Sequence, residues 1–289
     1  MMMSRATSCR HSFLLVLLNL FYASTAFVQN NSKRLRRSEM FGLVEWRDQG
    51  GSDARERPIL ILPFKAEDAL MPGQSRDLIL KEGRLFDLVQ DSMDDHGSVI
   101  GAAFVGEDGF LDVLSLCEIH GFEVHSGYRG KVTVSITLLA LGRAEMTEIM
   151  EMKPTVKGYC EEMKDDKIFD IAMASGIVDD IEAIIEDLSR REDWRNQRKL
   201  YDDAYTRTVE SFESVKPSSF SQFDQILSRI TAKSWAIFAA VKDRSTELEA
   251  LKTTDLIKRL RLGLKAVLVE KYRMEPSINL NAGLDVGFE

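Results

Sequence analysis

Hydrophobic positions follow two different periods along the chain. Between residues 58 and 158, short apolar runs separated by glycines predict strands, as in "PILILPF" and "SVIGAAFVGEDGFLDVLSLCEI". The run over residues 132–138 reads V-T-V-S-I-T-L and alternates strictly between apolar and polar side chains. Because successive side chains of a strand point to opposite faces, this run predicts a strand with one buried face.

Glycines, prolines and polar links predict the order of the elements in this first part. "RDLILKEGRLFDLVQDSM" predicts a strand or turn that enters an amphipathic helix. A turn at residues 106–109 joins two strands, and "SGYRG" connects a hairpin. "GRAEM" predicts a turn followed by another strand, which Pro154 interrupts. The result is a small, mainly β domain with one helix.

After Lys164 the apolar residues recur at helical spacing and predict four amphipathic helices. The first is interrupted near Gly176, and the second ends at the "KPSS" segment. The third reaches Val241 and extends or breaks before Leu251, whereas Thr253 or Thr254 caps the fourth. Four such helices with few glycines predict a bundle. We therefore expect an α+β fold, with a β domain at residues 58–160, a helical bundle at 161–275 and a tail at 276–289.

The amino terminus has the pattern of a targeting signal. Arg5, Arg10 and His11 precede an apolar run over residues 13–21, which ends in small residues at Ser24 and Ala26. The run is too short for a membrane-spanning helix, which needs about 20 apolar residues. We predict a signal peptide at residues 1–26 and no membrane span in the mature chain.

Residues 27–57 begin with an aromatic residue, Phe27, continue with a basic patch and then become rich in Gly, Ser and Asp. "ASTAF" resembles the "ASAFAP"-type junction of bipartite plastid-targeting leaders in algae with secondary plastids, where a phenylalanine begins the transit peptide. The resemblance implies a plastid protein. The alternative is a disordered linker behind a plain secretory signal.

The charge of the chain is unevenly distributed. Residues 1–57 hold nine of the 38 Lys and Arg and five of the 46 Asp and Glu, which leaves 29 bases and 41 acids in the remainder. A surface with that acidic excess repels phosphate backbones and anionic membranes. A basic stripe at Lys258, Arg259, Arg261 and Lys265 keeps an RNA-binding accessory role open as the alternative function.

Few residues suggest metal or catalytic chemistry. Cys117, His120 and His125 form a C-x2-H-x4-H cluster, but their odd separations place neighbours on opposite faces of a strand unless a turn at Gly121 intervenes. Cys117 and Cys160 are too few for a disulfide framework and are expected to be buried thiols. We predict no metal and no cofactor, and a hydrolase with an unfamiliar site remains a further alternative.

The run "LPFKAEDALMPGQSRDLILKEGRLFDLV" resembles the start of the Lon protease amino-terminal domain family. That family has an apolar strand, Leu-Pro-Leu, a short link, Phe-Pro-Gly, a strand, then Phe-Glu-x-Arg-Tyr and a helix. "LLALGRAEM" is similar to the family's late strand. The matching positions are Leu62, Pro63, Pro72, Gly73, Glu82, Arg84, Leu88, Gly101, Gly142 and Arg143.

The resemblance covers residues 58–158 and implies a PUA-like β pseudo-barrel. Phe64, Met71 and Leu85 depart from the family pattern by apolar exchanges, which affect packing detail. A complete Lon protease also has an ATPase and a Ser/Lys protease module. The sequence contains neither G-x-x-x-x-G-K-[ST] nor the glycine-flanked serine segment, so we expect no catalysis.

The resemblance implies a stand-alone recognition domain that binds client or unfolded polypeptides, with a protease or chaperone as a further partner. Capture would use an apolar groove or strand addition at a sheet edge. We therefore expect an adaptor in plastid protein quality control.

Overall fold

The computed structural model describes residues 33–34, 42–49, 55–81, 83–106, 109–126, 132–151, 155–168, 170–215, 221–241 and 243–274. The predicted signal peptide and the tail at 276–289 lie outside these residues.

One seven-stranded sheet forms the first part of the fold. Its strands are β1 Lys33–Arg34, β2 Glu56–Lys65, β3 Ser75–Lys81, β4 Val99–Gly106, β5 Gly109–Ser126, β6 Val132–Glu151 and β7 Val156–Glu162. Their order is β1-β5-β4-β2-β7-β6-β3, and β5 also pairs with β6. The extra pairing closes β5, β4, β2, β7 and β6 into a ring, which confirms the predicted pseudo-barrel.

Seven α-helices among the described residues accompany the sheet. They are α1 Gly42–Gln49, α2 Arg84–Asp95, α3 Ile171–Ser189, α4 Arg195–Val215, α5 Gln222–Ala240, α6 Arg244–Lys252 and α7 Leu256–Met274. The α+β class is therefore as predicted. The part of the chain after Lys164 has five described helices instead of four, because the third predicted helix is divided into α5 and α6.

Both faces of β2 are buried, which explains its nearly continuous apolar run. Ile59 and Ile61 belong to a core that also contains α1. Leu60 and Leu62 face a second core, to which α5 and α6 contribute side chains. The helices thus complete the core of the β part, while a third core lies entirely among them.

Helix α1 lies within residues 27–57, which the sequence analysis assigned to a transit peptide or linker. Trp46 is only 1% exposed, and its Nε1 donates to the Pro58 carbonyl at 3.2 Å. Arg47 pairs with Glu162 of β7 through Nε to Oε2 at 3.0 Å. A linker therefore does not extend over residues 42–49, because this segment packs on the barrel.

The turn predicted at "GRAEM" is wrong. The register of β5 and β6 shifts between the pair Leu116–Gly142 and the pair Cys117–Ala140, so Leu141 is an extra residue in β6. Such a bulge bends a strand without ending it. β6 therefore continues through Gly142 as one strand.

Two helix predictions are also wrong. Helix α3 passes through Gly176 without interruption. The Lys258 amide donates to Asp255 Oδ1 at 3.0 Å, so Asp255 caps α7. Thr254 instead donates from Oγ1 to Asp166 Oδ2 at 2.8 Å, which links the start of α7 to the segment before α3.

The Pro72-Gly73 turn leads into β3 and is fixed against the helices. The Gln74 amide donates to the Met71 carbonyl at 2.9 Å, and Gly73 has φ +87°, as position i+2 of a type II turn requires. Gln74 Nε2 donates to the Phe238 carbonyl of α5 at 2.9 Å, and Arg207 of α4 donates to the Gly73 carbonyl at 3.3 Å. The helices and β6 together hold this turn, since the Gly73 amide also donates to the Ala140 carbonyl at 2.7 Å.

Gly73→Ala is expected to destabilise the protein by more than about 2 kcal/mol. A Cβ at this position would clash with the Ala204 carbonyl and Thr208 Oγ1, and φ +87° disfavours any L side chain. Gly176→Ala is the matched control: it lies inside α3 with nothing within 4 Å of its added Cβ, so it should stabilise by about 0.5–1 kcal/mol. Urea unfolding measures the free energy of unfolding of the unsubstituted protein and of both variants. Equal changes for Gly73→Ala and Gly176→Ala would contradict the close packing at Gly73.

Candidate functional site

Strand β3 is the exposed end of the sheet. All seven of its residues pair with β6, from Ser75 opposite Leu139 to Lys81 opposite Thr133. On its other side, no strand among the described residues pairs with it. An unpaired edge of this length presents main-chain donors and acceptors to any extended chain that approaches.

The alternation of antiparallel hydrogen bonds identifies which groups β3 presents. The Ala140 amide donates to the Gln74 carbonyl at 3.0 Å, immediately before the strand begins. In an antiparallel pair, residues alternate between bonding to the neighbour and pointing away. The N–H and C=O groups of Ser75, Asp77, Ile79 and Lys81 therefore point to the open edge.

The two faces of β3 have different chemistry. Leu80 is buried in the core, and Leu78 packs against the same core. Asp77, Ile79 and Lys81 are exposed on the opposite face, where Ile79 is 43% accessible. On the exposed face of β3, the apolar side chain of Ile79 thus lies between the Asp77 carboxylate and the Lys81 ammonium group.

Beside β3, the exposed sheet face continues over β6 and β5 and is polar. Thr137 Oγ1 donates to Asp77 Oδ1 at 2.6 Å. On β5, Glu118 and Glu123 share this face, and His120 Nε2 lies 3.1 Å from Glu118 Oε2. Glu118 is only 13% exposed and accepts from the Leu43 amide of α1 at 2.7 Å, so its carboxylate is engaged within the fold. Asp77 and Lys81 are the charges on the exposed face of the edge strand itself.

The predicted Cys-His-His cluster is divided by the fold. Gly121 adopts φ +60° at a bulge between His120 and Glu123, so His120 and His125 lie on the same face, opposite residues 137 and 133 of β6. The exception that the sequence left open at Gly121 therefore applies to these two histidines, as a bulge that adds a residue to the alternation. Cys117 is buried on the other face.

The two histidines nevertheless do not meet. Their β6 partners are four residues apart, which is about 13 Å along a strand. His125 Nε2 is 2.7 Å from Ser135 Oγ instead. Among the described residues, no group of three His, Cys, Asp or Glu side chains is arranged to hold a metal ion.

The buried thiols are not reactive groups. Burial raises the pKa of Cys117 to about 12 and that of Cys160 to about 12. Both cysteines are free and buried, so at neutral pH each remains a thiol in the core.

The apolar residues and prolines of the family resemblance lie in the core and in turns, away from the β3 edge. Leu62 and Leu88 are core residues, and Pro63 and Pro72 are buried. β2 continues past Pro63, but its last pair with β7 is at Ile61, so the missing N–H breaks no bond on that side. These residues shape the barrel and do not line the open edge.

The other motif residues in the first part are also structural where the structure describes them. A Cβ on Gly101 of β4 would lie 3.2 Å from Ile59 Cδ1 and 3.3 Å from Leu114 Cδ1, so glycine allows close packing there. Arg84 is the first residue of α2. Glu82 lies outside the described residues.

Gly142 and Arg143 lie where the barrel meets the helices. Arg143 is 3% exposed, and its Nη2 donates to Asp165 Oδ1 at 2.7 Å. Nη1 of Arg259, which is fully buried on α7, donates to the same carboxylate at 2.8 Å. The Trp235 ring centre lies 3.9 Å from the Arg259 guanidinium carbon and 5.1 Å from that of Arg143. Arg143 is thus a structural residue at this junction.

Two buried guanidinium groups share one carboxylate, so other groups must compensate the second positive charge. Arg143 Nη1 donates to the carbonyls of Leu251 at 2.6 Å and Thr253 at 2.5 Å, at the carboxyl end of α6. The carbonyls at a helix end carry partial negative charge and lack helical partners. Burial and the neighbouring Arg259 still lower the pKa of Arg143 to about 10, against the opposing effect of Asp165.

The predicted basic stripe on α7 is not a continuous surface. Arg259 is buried in the cluster around Asp165. Lys258 pairs with Glu249 at 3.1 Å, which places an acidic residue beside it. Arg261 and Lys265 stay exposed on α7, so the stripe is reduced to these two cations beside the Lys258–Glu249 pair.

Sequence reasoning missed that Arg259 is a core residue. A signal was present, because Arg259 falls between Leu256 and Leu260 on the buried stripe of α7. Its acidic partner, Asp165, had no such signal, since it lies in a polar segment between β7 and α3.

No helix among the described residues is both long and apolar enough to cross a membrane.

Comparison with known proteins gives matches only among solved structures. Neither a protein-family model nor a curated protein matches the chain. The structure is similar to the N terminal domain of Mycobacterium avium complex Lon protease, with 14% identity, a TM-score of 0.48 and coverage of 73% of this chain and 98% of that one. It is also similar to the Lon N-terminal domain protein from Xanthomonas campestris, with 17% identity, a TM-score of 0.40 and coverage of 72% and 97%.

Both solved structures are Lon N-terminal domains, the family that the sequence motifs resemble. At these identities the similarity concerns the fold, and it does not transfer a function to this chain.

Asp165→Ala is expected to destabilise the protein by about 3–5 kcal/mol, because it leaves two buried guanidinium groups without their anion. Asp166→Ala is the matched control: it removes the neighbouring exposed carboxylate, which accepts from Thr254 Oγ1 at 2.8 Å, and should cost about 1 kcal/mol or less. Chemical denaturation at pH 7 compares the two. If Asp165→Ala lowers the free energy of unfolding no more than Asp166→Ala does, the stabilising role of Asp165 between the two arginines is contradicted.

Proposed function

We propose that the chain is a non-catalytic module that binds extended polypeptide by strand addition to β3. The open edge of β3 carries this proposal: Asp77, Ile79 and Lys81 offer main-chain donors and acceptors, and Ile79 offers an exposed apolar contact. Unfolded segments supply both the extended backbone and the apolar side chains that such an edge accepts. The sequence motifs that resemble Lon amino-terminal domains support the same class of partner.

The charges near the edge favour a polypeptide over RNA. Asp77 and Lys81 are the two charged residues on the exposed face of β3, so cations are not clustered there. A nucleic-acid surface needs clustered cations to neutralise phosphates. The basic stripe that supported the RNA alternative is interrupted by the burial of Arg259.

We further propose that the protein acts in a plastid as an adaptor that presents captured polypeptides to a separate protease or chaperone. The leader-like residues 1–26 and the Phe27 junction support the location. An adaptor role fits a binding edge on a chain without protease or ATPase motifs.

Ile79→Lys is expected to weaken binding of a permanently unfolded polypeptide about tenfold, because it removes the apolar contact and places a second lysine near Lys81 on the edge. The probe is fluorescein-labelled, reduced and carbamidomethylated lysozyme, titrated with the full chain and followed by fluorescence anisotropy. Val269→Lys is the matched control, since Val269 is 55% exposed on α7.

Two outcomes contradict strand addition at β3: no binding by the unsubstituted chain, or an equal loss for Ile79→Lys and Val269→Lys. A fluorescein-labelled 20-nucleotide RNA tests the alternative in the same assay. Tight, salt-dependent RNA binding without polypeptide binding would favour the RNA role instead.

The location is tested by fusing a fluorescent protein to the carboxyl end of the full chain in an alga with secondary plastids. We expect fluorescence inside the plastid, and retention outside it for Phe27→Ala, because the junction resembles leaders in which a phenylalanine begins the transit peptide. Secretion of the unsubstituted fusion would support the secretory alternative and contradict the plastid proposal.

A further inference from the structure

The exposed edge of β3 is complementary to itself. The strand includes the sequence D-L-I-L-K from Asp77 to Lys81, with opposite charges at its two ends and Ile79 at its centre. A two-fold axis through Ile79 in an antiparallel arrangement places Asp77 of one copy opposite Lys81 of the other, twice. It also places Leu78 opposite Leu80 and Ile79 opposite Ile79.

The backbone permits the same register. Within residues 77–81 the outward N–H and C=O groups belong to Asp77, Ile79 and Lys81, as the bond from Ala140 to Gln74 indicates. With the axis at Ile79, each of these residues faces another outward-pointing residue of the second copy. Hydrogen bonding, charge and apolar contact therefore agree on one register.

We infer that a second copy of this chain occupies the β3 edge, which makes a symmetric dimer with one continuous sheet across the axis. Such an isologous contact is the commonest way in which identical chains associate. It also covers Ile79, the large apolar side chain that β3 exposes.

The dimer should be weak. One pair of short strands buries much less than the roughly 1,200–2,000 Å² of stable interfaces. Each cross-strand pair contributes only a small free energy, so the association depends on few contacts. We expect a dissociation constant in the micromolar range or weaker, so copies exchange readily.

This inference rests on the same edge as the proposed function and adds regulation to it. Because a dimer and a captured polypeptide use the same donors and acceptors, they exclude each other. Self-association then protects the edge when no client is present.

Charge reversal tests the register. Asp77→Lys places lysine opposite lysine twice, and Lys81→Asp places aspartate opposite aspartate twice. We expect each variant alone to dimerise at least about tenfold more weakly than the unsubstituted full chain, measured by sedimentation equilibrium up to several hundred micromolar.

An equimolar mixture of the two variants is the decisive sample. The Asp77→Lys copy presents lysine at both ends of the five-residue segment, and the Lys81→Asp copy presents aspartate at both ends, so opposite charges meet at both positions of a mixed pair. We expect the mixture to regain the dimerisation of the unsubstituted chain. Because each variant must be folded to associate, this recovery also excludes misfolding as the cause of the individual losses.

Three results would overturn the inference: a full chain that stays monomeric at every concentration, a dimer that neither substitution weakens, and a mixture that associates no better than either variant alone. The proposed function is judged separately, by binding of the unfolded lysozyme probe to the unsubstituted chain at low micromolar concentration. Probe binding by the unsubstituted chain, together with dimerisation that the variants recover only in the mixture, supports both proposals. An unsubstituted chain that is always monomeric but still binds the probe overturns only the dimer.

Discussion

The fold depends on the carboxylate of Asp165, which binds two buried arginines from different parts of the chain. Arg143 comes from the middle of β6 and Arg259 from the buried side of α7, and both lie against Trp235. Neither guanidinium could be buried at this position without the shared anion and the carbonyls at the end of α6. The cluster therefore holds the barrel and the helices in one arrangement.

The same arrangement positions the candidate site. Helices α4 and α5 hold the Pro72-Gly73 turn through Arg207 and the Phe238 carbonyl, and β3 starts two residues later. Strands β2, β4, β5, β6 and β7 pair in a closed ring, so each of them has a neighbouring strand on both sides. β3 lies outside this ring and pairs only with β6 among the described strands. An exposed strand that is firmly anchored at its beginning is suited to binding, because little order is lost when a partner pairs with it.

Much of the architecture could be predicted from periodicity, since alternation over residues 132–138 and helical spacing after Lys164 both report local geometry. The errors in the strands arise where one residue changes the alternation. The bulge at Leu141 lets β6 continue where a glycine suggested a turn, and the bulge at Gly121 places two histidines on one face. The partner of Arg259 could not be predicted either, because Asp165 is 94 positions away and only the folded chain brings them together. The order D-L-I-L-K of residues 77–81 is visible in the sequence. That it could pair with a second copy follows only from the structure, which shows that β3 is an edge strand.

Amide hydrogen exchange at single-residue resolution in β3 tests the central claim most directly. In the free chain at low concentration, the Leu78 and Leu80 amides should be protected by β6, while those of Asp77, Ile79 and Lys81 should exchange freely. Addition of unfolded lysozyme should protect these three amides selectively. Unchanged exchange at Ile79 while the polypeptide is bound would contradict capture at the β3 edge.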